Sequence, residues 1–290
     1  MTDAGAANDV ANHAVEDTAG VERARVSRYR NGRVVVGDDW LVDEVPIALV
    51  FNGISHAVML ASPLQLEDFA LGFALTEGLL ADRSELYGVD VQAVANGIEV
   101  HLEVASACEF RMKQRRRNMS GRTGCGLCGT ESLDQVLRIM PATRSTLSIE
   151  TTAVSAALKA MASAQPLQRV SGAVHAAAWC DRHGRVELIR EDVGRHNALD
   201  KLVGAMVVAE AKPDQGFIAV TSRASVEMVQ KTLMAGVGLL IAVSAPTALA
   251  VRVAIDHGLA LAGFARGDDL VCYTAPERFG LTPDILVAVR

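Results

Sequence analysis

Two cysteines three residues apart, Cys125 and Cys128, lie in the glycine-rich stretch GRTGCGLCG at residues 121–129. A basic run, RMKQRRR at residues 111–117, comes shortly before them. Cationic neighbours lower the pKa of a cysteine thiol and so raise the fraction present as the nucleophilic thiolate. The spacing is compatible with three kinds of chemistry: half of a metal site, a dithiol redox pair, or a carrier of a reactive sulfur atom.

The sequence supplies too few ligands at familiar spacings for a metal site. A structural zinc ion needs four ligands, usually supplied as two closely spaced pairs. Cys108, Cys180, Cys272 and the seven histidines supply no second pair at a familiar spacing. We therefore expect no zinc, although a site shared between two copies of the chain would complete the ligand set.

The residues alone favour neither the redox interpretation nor the sulfur-carrier interpretation. A thioredoxin-like pair follows a strand and opens a helix, whereas this pair follows a basic stretch that we predict to be a loop. Glycines around the cysteines would let a persulfide move from donor to acceptor. The second cysteine could assist that transfer, or release a spent persulfide as a disulfide.

The elements that must position this pair fall into two units. A disordered tail is predicted at residues 1–24. Short strands, a helix over residues 64–80 and a hairpin at Asn96-Gly97 predict an N-terminal α+β unit over residues 25–108. Residues 109–129 are predicted to be a mobile basic loop containing the cysteines.

The second unit is predicted over residues 130–290. A helix, two strands, and then alternating helices and strands indicate a mixed sheet with helices on both faces. One of these helices is predicted at residues 247–262. Three strand-to-helix junctions are polar: REDVGRHNA, TSRASVEM and SAPTALA. Ligands on such sheets bind beyond strand ends, near helix N-termini, so the junctions predict a pocket.

The composition excludes several classes of protein. Half of the residues are hydrophobic and 21% are charged, which supports a large core and excludes a disordered chain. A net charge of −6 argues against nucleic acid as a partner. Five sparsely spaced cysteines do not resemble a secreted disulfide framework, and the acidic N-terminus lacks the features of a signal peptide. We therefore expect a cytoplasmic protein.

One segment reaches the length of a membrane span. Residues 232–251 contain no charged residue. Within them, LLIAVS is typical of a buried strand, and SAPT of a turn whose proline begins a helix. A buried strand–turn–helix unit is the better interpretation, so we expect a soluble protein without a membrane partner.

Five segments, in order, resemble the FdhD family, the sulfurtransferase accessory proteins of formate dehydrogenase: GRTGCGLCG, EDVGRHNALDK, TSRASVEMVQK, VSAPTALAV and GFARGDDLVCYT. VPIALVFNG and LEDFALGFALTEGLL fit as well, so the resemblance covers nearly all of the chain beyond the tail. It implies a homodimeric sulfur carrier that takes sulfur from a cysteine desulfurase as a persulfide on Cys125, with Cys128 as partner. The sulfur then passes to the molybdenum bis(molybdopterin guanine dinucleotide) cofactor before its insertion into formate dehydrogenase.

The resemblance also implies cofactor-binding residues. The family's cofactor-binding segment falls on Phe264, Ala265, Arg266, Gly267, Asp268 and Asp269. Arg266 can pair with a diphosphate, Phe264 can stack on a ring, and a carboxylate from Asp268 or Asp269 can accept from guanine N–H groups. Without the resemblance, Phe264 would be assigned to the core and the two aspartates to an ordinary turn.

The C-terminal part of the family is similar to the cytidine-deaminase fold, so the fold class expected is α/β (α+β) with a deaminase-like C-terminal domain. Zinc deaminases carry H-x-E on one helix and P-C-x-x-C on the next. The corresponding junctions, GRHNALD and TSRASVEM, lack the cysteines, and no metal is expected. A nucleotide-shaped pocket remains, for which GDP is the expected mimic, lined by Arg195, His196, Ser222, Arg223 and Ser225. Two rival interpretations stay open: a non-catalytic chaperone of cofactor or apo-enzyme, and a zinc-stapled interaction module.

Overall fold

The computed structural model describes residues 19–117, 140–143 and 145–281. Cys125, Cys128 and the rest of the predicted loop from residue 118 onward lie outside this range, as does most of the predicted tail.

The first element among the described residues is a two-stranded arm. β1 (Val21–Arg30) pairs antiparallel with β2 (Arg33–Val42) along their whole length. Asn31 and Gly32 connect them with positive φ angles of 51° and 77°, which a type I′ hairpin turn requires. Residues 21–24, placed by prediction in the tail, therefore belong to a strand.

A four-stranded sheet follows the arm. It contains β3 (Val45–Phe51), β4 (Ile54–Ala61), β5 (Leu86–Val94) and β6 (Gly97–Val104), in the order β4-β3-β6-β5. β3 and β6 are parallel, and the other neighbours are antiparallel. One face of this sheet packs its apolar side chains against helix α1 (Leu66–Thr76), which confirms a helix within the predicted residues 64–80.

Helix α2 (Ser106–Arg117) corrects the prediction of a loop from residue 109. Cys108 and Met112, one helical turn apart, are both buried in the core beneath the four-stranded sheet. Lysine, arginine and glutamine also have good intrinsic helix propensity. The basic run therefore continues a helix that is anchored by its first turns.

A six-stranded mixed sheet forms the second unit. It contains β7 (His175–Asp181), β8 (Val186–Asp192), β9 (Gly216–Val220), β10 (Leu239–Ala242), β11 (Ala260–Arg266) and β12 (Asp269–Thr274). The order is β12-β11-β10-β9-β7-β8. β9, β10 and β11 are parallel, whereas β7 is antiparallel to both of its neighbours and β12 is antiparallel to β11.

Helices cover both faces of this sheet, as predicted. The helices are α3 (Thr151–Ser163), α4 (Pro166–Ser171), α5 (Arg195–Val208), α6 (Val226–Met234) and α7 (Ala248–Asp256). Side chains of α5, α6 and α7 share one core with the sheet, and those of α3 share another with its opposite face.

The helix predicted at residues 247–262 is too long. Helix α7 ends at Asp256, and Gly258 has a φ of 71°, the left-handed conformation that commonly follows a helix. The apolar residues from Ala260 onward form strand β11 instead. Periodicity alone does not separate a short buried strand from a continuing buried helix.

The two units are joined by close packing of α1 on α5. A Cβ atom on Gly72 would lie 1.7 Å from the carbonyl oxygen of Asp200, and one on Gly204 would lie 1.9 Å from that of Asp68. The two helix backbones are therefore in direct contact, which only glycine allows. Among the residues that the structure describes, no helix is long and apolar enough to cross a membrane.

Candidate functional site

The carboxyl ends of β8, β9, β10 and β11 lie at one edge of the six-stranded sheet. β7 runs in the opposite direction, so its first residue, His175, reaches the same edge and pairs with Asp192 at the end of β8. Helices α5, α6 and α7 begin directly after β8, β9 and β10. Since neighbouring strands are about 4.8 Å apart, the four gaps from β11 to β8 span about 19 Å. This edge is where ligands bind in open α/β sheets.

All of the predicted pocket residues within the described part of the chain lie at this edge. Arg195 and His196 begin α5, Ser222 and Arg223 connect β9 to α6, and residues 264–269 form the end of β11 and its turn into β12. The structure therefore places the three polar junctions at one edge, as the sequence predicted, and the 264–269 segment lies at the same edge.

The loops at the edge contact one another. Ala224 and Pro246 form an isolated parallel bridge, and the Thr247 N–H donates to the Ala224 carbonyl over 3.1 Å. The Phe264 N–H donates to the Ser244 carbonyl over 3.2 Å. The loop after β10 is thus held between the loop after β9 and the end of β11.

Phe264 is presented outward by an irregular strand end. The pairing of β11 with β12 shifts register between Gly263 and Arg266, and Phe264 has a φ of 51°. Its ring is exposed, whereas its neighbour Ala265 is buried. A bulky residue in the left-handed region is strained, and such strain is concentrated at functional sites. The assignment of Phe264 to the core is therefore wrong.

The rest of the 264–269 segment is an exposed turn. Arg266, Gly267, Asp268 and Asp269 are all accessible to solvent. Gly267 has a φ of 57°, so glycine suits the turn that carries the two aspartates. The segment offers one cation, two carboxylates and one aromatic face beside the loop after β10.

His196 and Glu227 connect the starts of α5 and α6. The His196 Nε2 atom lies 3.3 Å from a Glu227 carboxylate oxygen, and the Ser225 hydroxyl donates to the same oxygen over 2.6 Å. The hydrogen bond from His196 is the main reason that the pKa of Glu227 is lowered to about 2; Ser225 and the charge of Arg195 act in the same direction against burial. Sequence reasoning missed Glu227, because its role depends on a contact between two helices.

Positive charge accumulates next to this contact. The Arg195 Nε atom is buried and has no hydrogen-bond partner among the described residues. Burial lowers the pKa of His175, and the charges of Arg195 and His196 lower it further. A buried guanidinium N–H without an acceptor suits an anionic ligand such as a phosphate. The residues present therefore fit an anionic group, and His175 is a second residue at this edge that the sequence did not reveal.

Ser222 and Arg223 differ in what they present. Ser222 is buried, and its hydroxyl donates to the Arg223 carbonyl over 3.1 Å. The Arg223 side chain is exposed. Of the two, Arg223 can reach a ligand with its side chain, whereas Ser222 shapes the loop.

Asp192 is the buried hub that fixes the start of α5. One of its carboxylate oxygens accepts from the Gly194 N–H over 2.8 Å and from the Asn197 side chain over 3.0 Å. The other accepts from the Ser62 N–H over 3.0 Å and pairs with the Lys201 ammonium over 2.7 Å. Both ionised side chains are fully buried. The hub therefore ties the end of β4 to the helix that carries Arg195 and His196.

A second buried network fixes α6. The Lys231 ammonium contacts both carboxylate oxygens of Asp200, over 2.8 and 2.9 Å, as well as Thr76 over 3.0 Å and Glu77 over 3.1 Å. Although burial opposes it, the charges of Asp200 and Glu77 raise the pKa of Lys231. These contacts hold α6, with Glu227 in its first turn, against the end of α1.

The three cysteines within the described residues are poorly suited to nucleophilic chemistry. Cys108 is buried, and burial raises its pKa, as does nearby Glu85. Burial raises the pKa of Cys180 to about 12 and that of Cys272 to about 11. The described residues also hold no group of three or more His, Cys, Asp and Glu that could bind a metal ion.

Curated proteins similar to this chain share one name. A protein named sulfur carrier protein FdhD from Variovorax paradoxus is 60% identical over 245 residues, covering 84% of this chain and 88% of the relative. Proteins of the same name from Bordetella petrii and Cupriavidus necator are each 53% identical, covering 90% and 87% of this chain and 94% and 88% of their own lengths.

A solved structure has the same fold. A crystal structure described as that of a formate dehydrogenase accessory protein from Desulfotalea psychrophila matches with a TM-score of 0.72 and 20% identity, covering 89% of this chain and 99% of the other. This confirms the mixed α+β fold class. The model of the FdhD/NarQ family matches residues 42–280, which include every described residue at the sheet edge. The chain therefore belongs to the FdhD/NarQ family.

Proposed function

We propose that this protein is a cytoplasmic sulfur carrier that accepts sulfur from a cysteine desulfurase and transfers it to the molybdenum bis(molybdopterin guanine dinucleotide) cofactor of formate dehydrogenase. In this proposal Cys125 carries the sulfur as a persulfide, and Cys128 assists its transfer or release. The sheet edge binds the guanine nucleotide part of the cofactor, and the protein acts as a homodimer.

The burial of Cys108 and Cys180, together with the partial burial of Cys272, is the observation that carries the assignment. A persulfide carrier must be a thiolate and must reach two partners. Cys108 and Cys180 are fully buried, and the pKa of every cysteine among the described residues is raised. Of the five cysteines, Cys125 and Cys128 are thus left as candidates, and they lie in the segment GRTGCGLCG next to a basic helix.

The loading step is a transfer of sulfane sulfur. The Cys125 thiolate attacks the terminal sulfur of the persulfide on the desulfurase, and the sulfur–sulfur bond of the donor breaks. The donor cysteine leaves as a thiolate, while Cys125 becomes the persulfide. No net oxidation or reduction occurs in this exchange.

The sheet edge supports a guanine nucleotide as the part of the cofactor that is recognised. Arg195 offers a buried N–H for a phosphate oxygen, and Arg223 offers an exposed guanidinium on the neighbouring loop. Phe264 presents an aromatic face, and Asp268 and Asp269 present carboxylates that can accept from guanine N–H groups. The curated relatives are named sulfur carriers, which agrees with a site for a cofactor that receives sulfur.

The test is to load the full chain with sulfur and locate it. Purified protein is incubated with a cysteine desulfurase and L-cysteine, and its peptides are then mapped by mass spectrometry without reductant. We expect one added sulfur atom on Cys125, which is lost when the molybdenum cofactor is supplied. Cys272→Ala is the matched control and should load like the wild type.

Two results would contradict the proposal. A Cys125→Ala variant that still restores formate dehydrogenase activity would indicate a chaperone of cofactor or apo-enzyme rather than a carrier. Sulfur found on Cys108 or Cys180 would show that burial does not decide which thiol reacts. The nucleotide site is tested separately with GDP: Arg223→Ala should weaken GDP binding, and unchanged binding would remove this residue from the site.

A further inference from the structure

Helices α5 and α6 contact each other through two pairs of polar side chains. On α5, His196 precedes Asp200 by four residues, and on α6, Glu227 precedes Lys231 by four residues. Residues four apart lie on one face of a helix, so the two pairs are one turn apart. Asp200 and Lys231 form the lower pair, with distances of 2.8 and 2.9 Å. His196 and Glu227 form the upper pair, which lies at the sheet edge.

The lower pair holds the two helices together without the upper pair. Asp200 and Lys231 are both buried, and the Lys231 ammonium also contacts the end of α1. The side chains of His196 and Glu227 are 27% and 20% exposed. Because the buried network fixes the approach of the helices one turn away, the upper pair is not required to bring them together. It is available for a role at the sheet edge.

Ser225 holds the Glu227 carboxylate instead of capping its own helix. A serine at the N-cap commonly accepts a hydrogen bond from a backbone N–H of the first turn. Ser225 is the N-cap of α6, but its side chain accepts no such bond, and its hydroxyl donates to Glu227 over 2.6 Å. The oxygen that accepts from Ser225 is the one that lies 3.3 Å from the His196 Nε2 atom. One carboxylate oxygen is therefore fixed opposite the imidazole.

This oxygen determines which nitrogen of His196 carries the hydrogen atom. Glu227 is ionised at neutral pH, because its pKa is lowered to about 2, mainly by the hydrogen bond from His196. An ionised carboxylate can only accept hydrogen bonds, so Nε2 must donate to it. In a neutral imidazole with its hydrogen on Nε2, the Nδ1 atom has a lone pair and accepts. Nδ1 has no hydrogen-bond partner among the residues that the structure describes.

The neighbours of His196 indicate which ligand group Nδ1 would meet. Arg195 directly precedes it and offers a buried Nε N–H to a phosphate oxygen. Phe264 lies at the end of β11, two strands away from β9, which leads into α6, so about 10 Å separate the two strand ends. In a nucleotide, the ribose connects the base to the phosphate. A nucleotide with its base on Phe264 and its phosphate at Arg195 therefore has its ribose beside His196.

A ribose hydroxyl is a donor that the Nδ1 lone pair can accept from. We propose that Glu227 is a positioning residue: it holds His196 in the Nε2–H tautomer, so that Nδ1 accepts from a ribose hydroxyl of the bound guanine nucleotide and selects ribonucleotides over deoxyribonucleotides. The ribose hydroxyls are the groups by which proteins distinguish the two sugars. This role rests on the nucleotide site proposed above and assigns the residues that recognise its sugar.

Binding of deoxy analogues to the full chain tests the selection. Titration calorimetry at neutral pH compares GDP with 2′-deoxy-GDP and 3′-deoxy-GDP. For the wild type, we expect at least one analogue to bind about 10-fold more weakly than GDP, the factor that one ordinary hydrogen bond provides. Glu227→Met removes the carboxylate but keeps a side chain of similar length. This variant should bind GDP and both analogues with affinities that agree within about 2-fold.

Further variants separate positioning from folding. Glu227→Gln keeps an oxygen that can accept from Nε2, so it should still prefer GDP. Glu67→Met replaces an exposed glutamate in the first turn of α1 and is the matched control, which should select like the wild type. Circular dichroism and thermal unfolding show whether each variant is folded. If Glu227→Met is not folded, Ser225→Ala makes the comparison by removing one of the two donors that fix the carboxylate, and its preference for GDP should fall.

The tautomer can be measured in the free protein. Nitrogen-15 NMR of the imidazole groups distinguishes the Nε2–H tautomer, the Nδ1–H tautomer and the imidazolium ion, and His196→Gln identifies the signals of His196. At neutral pH we expect the Nε2–H tautomer in the wild type and a mixture of tautomers in Glu227→Met. This measurement needs no ligand, so it tests the action of Glu227 on His196 separately from the nucleotide site.

Four outcomes would overturn the proposal. His196 found as the Nδ1–H tautomer or as an imidazolium ion in the wild type would exclude the role of Glu227, and so would full selection in a folded Glu227→Met variant. Equal binding of GDP and both analogues by the wild type would show that Nδ1 meets no ribose hydroxyl, while the nucleotide site itself would stand. A wild type that binds no GDP would remove the nucleotide site of the proposed function together with the selection.

Discussion

Replacing Lys201 by methionine tests how much the buried ion pair with Asp192 contributes to the free energy of unfolding. Lys201 is fully buried, and its ammonium lies 2.7 Å from Asp192 and 2.9 Å from the Ser62 carbonyl. Methionine keeps an unbranched side chain but removes the charge. The substitution leaves Asp192 as a buried carboxylate without its counter-ion, which is the condition under which breaking a buried ion pair is costly.

The expected loss in the free energy of unfolding depends on the hydrogen bonds that Asp192 keeps. Removing one partner of a buried pair costs about 3–5 kcal/mol. In Lys201→Met the Asp192 carboxylate keeps the N–H donors of Gly194, Ser62 and Asn197, so we expect a loss near the lower limit, about 3 kcal/mol. In Asp192→Asn, one carboxylate oxygen is replaced by an amide NH₂ group that faces N–H or ammonium donors, and the Lys201 ammonium is left as a buried cation. This substitution should therefore lower the free energy of unfolding by about 5 kcal/mol. For a chain of this size, about 3 kcal/mol corresponds to a fall in Tm of about 5 °C.

Equilibrium unfolding in urea at neutral pH measures these losses of free energy. The double variant gives the interaction energy between Asp192 and Lys201. Asp192→Asn with Lys201→Met leaves neither charge behind, so its cost should be at least about 2 kcal/mol less than the sum of the single costs. Additive costs, or a loss below about 1 kcal/mol for Lys201→Met, would refute the reasoning, because the pair would then not behave as coupled buried charges. Arg185→Met, which removes an exposed partner of Asp181, is the control and should change stability by about 0.5 kcal/mol or less.

Two further expectations concern the site and the helix contact beneath it. The pKa of Glu227 is lowered from 4.5 to about 2, so its contribution to the free energy of unfolding is fully present above pH 4.5 and is lost as the pH falls through about 2. Urea titrations over this range should show that the difference in free energy of unfolding between the wild type and Glu227→Gln, at most about 3 kcal/mol, becomes smaller as the pH falls. A difference that does not depend on pH would contradict this expectation. Gly204→Ala forces a Cβ within 1.9 Å of the Asp68 carbonyl oxygen, whereas a Cβ on Gly37 meets only the flexible Arg28 side chain at 3.0 Å. Thermal unfolding should therefore show a loss of about 3 kcal/mol or more for Gly204→Ala and little change for Gly37→Ala, and equal losses would mean that α1 can move away from α5.

Most of the fold is accessible from the sequence, because the core strands and helices carry strong local patterns. The buried strands β9 and β10 are short apolar runs between polar turns, and the alternation of strands and helices predicts the mixed sheet. The predictions are wrong where tertiary contacts determine the local structure. The basic run of α2 is helical because Cys108 and Met112 bury one face of its first turns. Strand β1 holds four arginines among its ten residues, which is a weak signal for a strand.

The site was predictable in its position but not in its contacts. The rule that ligands bind at the carboxyl ends of strands brings the three polar junctions together without any structure. That rule does not reveal that Glu227 meets His196, or that the Arg195 Nε atom is buried without an acceptor, because both depend on how α5 and α6 approach each other. The exposure of Phe264 depends in the same way on a register shift that no local pattern encodes.

The motif EDVGRHNALDK combines two functions that experiments can separate. Asp192, Asp200 and Lys201 are buried in networks that join the two units, whereas Arg195 and His196 lie at the sheet edge, where His196 contacts Glu227 in the first turn of α6. Substitutions in the first group should act through the free energy of unfolding, so the molecules that remain folded should bind GDP with nearly unchanged affinity. Substitution of Arg195, whose Nε atom has no hydrogen-bond partner among the described residues, should weaken GDP binding while the unfolding midpoint changes little. The eleven residues of this motif therefore serve two purposes, and only the role of the buried group is explained by folding alone.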